Sequence, residues 1–170
     1  MAIGDVKLAF GTSTEFTVVG LVDLASSATW VVGWCSDEVD NSSNLYEDYL
    51  VSGEITILHD GSPTVGEIRV YVISELSDTT WPAVITHNDT ANTFALSNQR
   101  DSVCKLAAVI TNTATVHLIY PFGQFSVAAL FGGICPRKFV IFITHNTTTT
   151  LDHDGQVVTY HGVYHTVAAS

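Results

Sequence analysis

GEIRVYVISEL, residues 66–76, alternates polar and apolar from Glu67 to Val72: Ile68, Val70 and Val72 fall on one parity, and Glu67, Arg69 and Tyr71 on the other. A two-residue period built from β-branched and aromatic side chains is the pattern of a half-buried strand, with one core face and one wet face. KFVIFIT, residues 138–144, is apolar on both parities, which predicts a mid-sheet strand covered by protein on both sides. In LYEDYLVSGEITIL, residues 45–58, Val51, Gly53, Ile55 and Ile57 share a parity. Gly53 is placed for a bulge or a close backbone approach, in one long kinked strand or two.

Further strands are expected in EFTVVGLV (15–22), ATWVVGW (28–34), Cys104 to Thr111, TVHLIY (115–120), QFSVAALF (124–131) and the last run, GQVVTYHGVYHTVA (155–168). Between them lie SDEVDNSSN (36–44), HDGSPT (59–64), SDTTWP (77–82) and THNDTAN (86–92), whose Gly, Pro, Asn and Asp suit turns. No long window shows a capped 3.6-residue period, although SSNLYEDYLV has room for a short helical turn. Neither an internal repeat nor a linker divides the chain. The reading is an all-β, single-domain antiparallel β-sandwich of jelly-roll type with about eight to ten strands. Residues 1–24 form an N-terminal arm and first strand, and residues 25–170 the sandwich.

Composition narrows the function. The chain has 170 residues, 46% of them hydrophobic, so it can bury a sizeable core. Only 14% are charged, against roughly 25% on average, and such a surface suits extensive contact with protein. Six Lys+Arg against 17 Asp+Glu give a net charge of -11, which leaves few groups to bind phosphates, so nucleic acid is not an expected partner. The N-terminus lacks a signal-peptide pattern and no apolar run approaches a membrane span, so a cytosolic origin without membrane association is expected. Cys35, Cys104 and Cys135 are odd in number and far apart, and read as small buried hydrophobes instead of disulfides or metal ligands. The Asn-x-Ser/Thr triplets at Asn41, Asn88 and Asn146 are chance matches without a secretory route.

THNTTTTLDHDG, residues 144–155, offers His145, Asp152, His153 and Asp154 as metal ligands, but not at a recognised spacing. Asp154-Gly155 is a turn signal between two strands, so the stretch reads as a hairpin with a long polar tip. His161 and His165 share a parity in the last strand with Val157, Thr159 and Val163. About 13 Å separates four residues along a strand, too far for both rings to bind one ion. They read as surface or interface side chains, with a pH-sensitive subunit contact as the functional alternative. GxSxG, HExxH and P-loop signatures do not occur, and the adjacent Glu47 and Asp48 point to opposite faces of a strand. No enzyme activity, cofactor or metal is expected. Trp30 and Trp34 share a parity and read as inter-sheet packing; a protein interface and a sugar-stacking platform are the alternatives, with Trp81 the best placed for exposure.

Four passages carry a resemblance: NSSNLYEDYLVSGEITI (41–57), GEIRVYVISELSDTTWPA (66–83), PFGQFSVAALFGGICPRKFVIFITHNT (121–147) and GQVVTYHGVYHTVA (155–168). Together they resemble small all-β structural proteins of tailed-bacteriophage virions, over roughly residues 25–168. The resemblance implies a capsid cement, or decoration, protein on the outer surface of the head. Its partner would be the major capsid protein, and it would itself form a homo-oligomer, a trimer before a dimer. The expected contact elements are the arm Ala2 to Phe16, the loop Ser36 to Asn44 and the tip Thr147 to Asp154. The expected contact residues are Phe16, Asp37, Asp40, Asn44, Trp81, His145, Asp152, His153, His161 and His165. The alternatives are a carbohydrate- or receptor-binding module of a fibre, and a tail or adaptor component.

Overall fold

A computed structural model describes residues 5–57 and 63–167. The start of the N-terminal arm, Leu58 with most of the turn HDGSPT, and the end of the last run lie outside the described residues. In chain order the elements are β1 (Val6–Phe10), β2 (Thr14–Glu15), β3 (Val32–Cys35), β4 (Val39–Asp40), β5 (Asp48–Thr56), β6 (Glu67–Ser74) and β7 (Thr90–Thr93). They continue with α1 (Ser97–Val103), β8 (Lys105–Thr111), β9 (Ile119–Ser126), α2 (Val127–Leu130), β10 (Lys138–His145) and β11 (Val157–Val167).

One sheet runs β1-β11-β5-β9, with β2 also paired to β11; the other runs β7-β3-β10-β6-β8, with β4 also paired to β10. Every pairing is antiparallel. Because β1 and β2 both lie on β11, and β3 and β4 both on β10, each pair acts as one interrupted strand. Taken so, and setting β7 aside, the chain has eight principal strands, ordered first-eighth-third-sixth in one sheet and second-seventh-fourth-fifth in the other. This is the jelly-roll order, two Greek keys folded face to face.

The two inner faces meet over Val51, Ile55, Phe122 and Val158 on one side and Trp34, Ile68, Val70, Phe139, Ile141 and Ile143 on the other. Gly53 sits where the β5–β9 register shifts; a Cβ there would meet Val157 O at 2.3 Å and the Phe122 ring at 2.7 Å. One continuous bulged strand therefore replaces the choice of one or two, and a glycine is needed for the close approach.

The outer face of β6 departs from expectation. Tyr71 and Ile73 are buried with Val140, Phe142, Cys35, Phe94 and Cys104 in a second apolar cluster. The insertion between β6 and β8, carrying β7 and α1, lies over this face, and Arg100 on α1 donates to Thr29 O and Trp30 O at 3.0 Å each. The wet face is therefore covered except near Arg69 and Glu67, which pair at 2.6 Å. KFVIFIT is mid-sheet and covered on both faces as expected. Cys35 and Cys104 are buried, Cys135 is half-buried, and all three are free thiols.

Four other strand expectations shorten, and TVHLIY, strand only from Ile119, joins QFSVAALF in the single strand β9. In EFTVVGLV only Glu15 lies in a strand, the end of β2; the N–H groups of Leu21 and Val22 both donate to Val18 O, a turn that lets Leu21 and Leu24 plug the sandwich end. QFSVAALF leaves its strand at Ser126, whose Oγ accepts from Ala129 N at 2.9 Å and caps α2. ATWVVGW becomes strand only at Val32, because Trp30 takes a left-handed backbone (φ 53°).

THNTTTTLDHDG is not a hairpin. β10 and β11 belong to different sheets, so this stretch crosses from one to the other and closes the sandwich end. Thr144, His145, Thr147 and Leu151 have no exposed surface. Leu151 N donates to Leu24 O at 3.0 Å, and Asp152 N to Thr56 O at 2.9 Å. The Gln156 amide accepts from Thr56 N at 3.1 Å and donates to Thr56 O at 2.9 Å, standing in for a missing strand partner.

Candidate partner surface

Contact residues need exposed side chains, and three of those expected lack them. Phe16 is 6% exposed, packed 4.6 Å from the Tyr160 ring; His145 is fully buried; Asp152 is 7% exposed. Their polar sequence neighbourhoods misplace them, because the segments around them fold inward as plugs. Asp152 accepts from Asp154 N at 3.2 Å and lies 3.0 Å from His117 Nδ1. Exposed His153 lies 3.2 Å from Asp23, whose carboxylate raises its pKa. Among the described residues no group of three or more His, Cys, Asp or Glu side chains is arranged to hold a metal ion.

Trp81 is half-buried: its ring lies 4.4 Å from that of His87 and its Nε1 donates to Glu38 at 3.2 Å. Trp34 is fully buried, and Trp30 carries Arg69 over its ring at 3.8 Å. The three tryptophans do not form a common platform, because Trp30 lies in a turn before β3 and its parity with Trp34 is lost.

The expected contact elements separate into two ends. Lys138, opening β10, pairs with Asp40, while His145 closes β10 next to the 146–156 crossover. Eight strand residues span about 25 Å, so Asp40 and Asn44 lie at one end and Asp152 and His153 at the other. Exposed Asp37 precedes β4, beside the Trp81 contact of Glu38.

At the Asp40 end the N-terminal segment joins the site, though not as a free arm. Val6, Leu8 and Phe10 of β1 pair with Val167, His165 and Val163 of β11 on one outer face. Val6, Leu8, Phe10 and Val167 are 65, 55, 55 and 66% exposed, a continuous apolar row. His161 touches Phe10 edge-on at 5.7 Å, and His165 Nδ1 lies 2.6 Å from Glu47. Both expected histidines thus border the row. β1 ends its sheet, so its outer hydrogen-bonding edge has no strand partner among the described residues, and such an edge is a template for pairing with another chain. The alternation V-K-L-A-F was the signal for this face, and treating the segment as an arm overlooked it.

Between this edge and β4 the sheets part around a tyrosine cluster. Tyr46 packs on Tyr164 (5.4 Å) and Tyr49 (5.5 Å) and lies flat against Gly162, where a Cβ would fall 1.9 Å from its ring. Gly162→Ala is expected to displace Tyr46 and cost about 2 kcal/mol, read as a lower urea midpoint with an unchanged slope; an unaltered midpoint would refute this seating.

Comparison with known proteins finds no matching family model and no matching curated protein. No helix among the described residues is long and apolar enough to cross a membrane.

Proposed function

We propose that the chain is a non-enzymatic structural protein that binds the outer surface of a tailed-phage head and clamps adjacent major capsid proteins. The observation that carries this reading is the open β1 edge with its apolar row of Val6, Leu8, Phe10 and Val167. An exposed edge bearing an apolar stripe supplies main-chain pairing for affinity and side chains for register. The low charged fraction and net charge of -11 fit a protein that contacts protein and avoids nucleic acid. The jelly roll is used by viral capsid domains, and also by lectins and cupins, so the fold supports the reading without selecting it. Many copies on one lattice would hold firmly even where single contacts are weak.

The test is co-sedimentation of the purified chain with expanded heads of the phage that encodes it, beside unexpanded proheads and isolated tails. Saturable binding to expanded heads alone is the expected result. Pelleting with tails or host envelopes and not with heads would replace the proposal with a receptor-binding or tail role.

A further inference from the structure

A cleft of about 260 Å³ opens on the side of the sandwich where β2 and β4 face each other. Thr12, Thr14, Tyr46 and Tyr160 bring hydroxyls to its wall, Asp40 a carboxylate and Asn44 an amide. Tyr49 closes the inner end, its hydroxyl donating to Asn41 Oδ1 at 3.3 Å, and burial pushes that hydroxyl up to about 12, so it stays neutral at any physiological pH. No Lys, Arg or His lines the cleft, which leaves nothing to balance a phosphate or carboxylate ligand. Its one carboxylate already lies 3.4 Å from Lys138 Nζ, which weakens its pull on a cationic guest. What remains is a concave wall rich in both donors and acceptors and backed by aromatic rings. The volume falls below the roughly 300–1,000 Å³ of pockets for drug-sized ligands, so it suits one small ring.

We propose that this cleft binds a neutral, polyhydroxylated ring of pyranose size. Vicinal hydroxyls each donate and accept, matching the mixed threonine, tyrosine, Asp40 and Asn44 wall. The site is distinct from the Val6–Leu8–Phe10 row, so it stands or falls independently of capsid attachment. It also moves any carbohydrate role away from the half-buried Trp81.

The test is saturation-transfer NMR on the full chain with the methyl glycosides of glucose, mannose and galactose, each at millimolar concentration. Wild type and the double variant Asp40→Asn, Asn44→Ala are compared after checking that their urea midpoints agree. Transfer to at least one glycoside is expected, with roughly tenfold weaker binding in the variant, as loss of one or two hydrogen bonds implies. Repeating the measurement with a disaccharide ending in the preferred sugar separates sources: tighter binding marks a glycan terminus, equal binding a free monosaccharide. Silence with all three glycosides, or transfer undiminished in a folded variant, would overturn the site.

Discussion

Ile141→Ala and Phe142→Ala are each expected to lower stability by several kcal/mol, although the two side chains leave opposite faces of β10. Ile141 belongs to the core between the sheets, whereas Phe142 packs beneath the β6–β8 insertion, 5.2 Å from Phe94 and 6.1 Å from Tyr71. Neither has exposed surface. Truncating a buried Ile costs about 2–5 kcal/mol and a buried Phe about 3–5, through lost transfer energy and the cavity left behind. Whole domains have only about 5–15 kcal/mol to lose. Urea unfolding of the two variants checks the claim. A Phe142→Ala cost below about 1 kcal/mol would mean that the insertion does not pack on the sheet.

The second large effect is a loss of stability in acid, centred on His145. Its Nε2 lies 3.0 Å from Leu24 O, which only accepts, so Nε2 carries the proton. Nδ1 lies 3.0 Å from Thr147 Oγ1 and accepts the hydroxyl proton in the neutral ring. Burial lowers the imidazole pKa from 6.5 to about 4, against the opposing pull of the Leu24 carbonyl. Between those values the unfolded chain binds the extra proton and the folded chain does not. Stability from this group is therefore complete above pH 6.5 and falls as pH drops toward 4. The gap amounts to about 3 kcal/mol. Comparing unfolding free energies at pH 7 and pH 4, His145→Gln should lose about 3 kcal/mol less than wild type. Equal losses, or an NMR titration of His145 near 6.5, would contradict the buried neutral ring.

What was legible in the sequence follows from locality. Alternation in GEIRVYV and the two-sided run KFVIFIT report burial directly, and Gly53 reports its own bulge, because each signal is set by immediate neighbours. The all-β sandwich class followed from strand spacing, whereas the jelly-roll order lies in the strand pairings. Sheet membership was hidden: nothing in THNTTTTLDHDG distinguishes a hairpin tip from a crossover, since both need Asp-Gly and polar residues, and only the distant pairings of β10 and β11 decide. The same blindness placed His145, Asp152 and Phe16 on the surface. Their partners, Leu24, His117 and Tyr160, are remote in the chain. The cover on Tyr71 and Ile73 was likewise invisible, because it comes from an insertion whose turn-rich sequence reads as solvent loop.

The partner surface was the inverse case. Val6, Leu8 and Phe10 alternate plainly, yet an apolar alternation near a terminus reads equally as core or as exposed edge. Only the sheet order, with β1 last, distinguishes the two.

The most direct measurement is sedimentation with expanded heads of wild type beside the double variant Leu8→Asp, Phe10→Asp, whose side chains are exposed and whose removal leaves the core intact. Wild type should saturate the heads, and the variant, folded by its circular dichroism and urea midpoint, should bind at least roughly tenfold more weakly, since truncating interface anchors commonly costs about 2 kcal/mol or more. Equal binding by the two proteins, or binding by neither, would contradict attachment through the open face of β1.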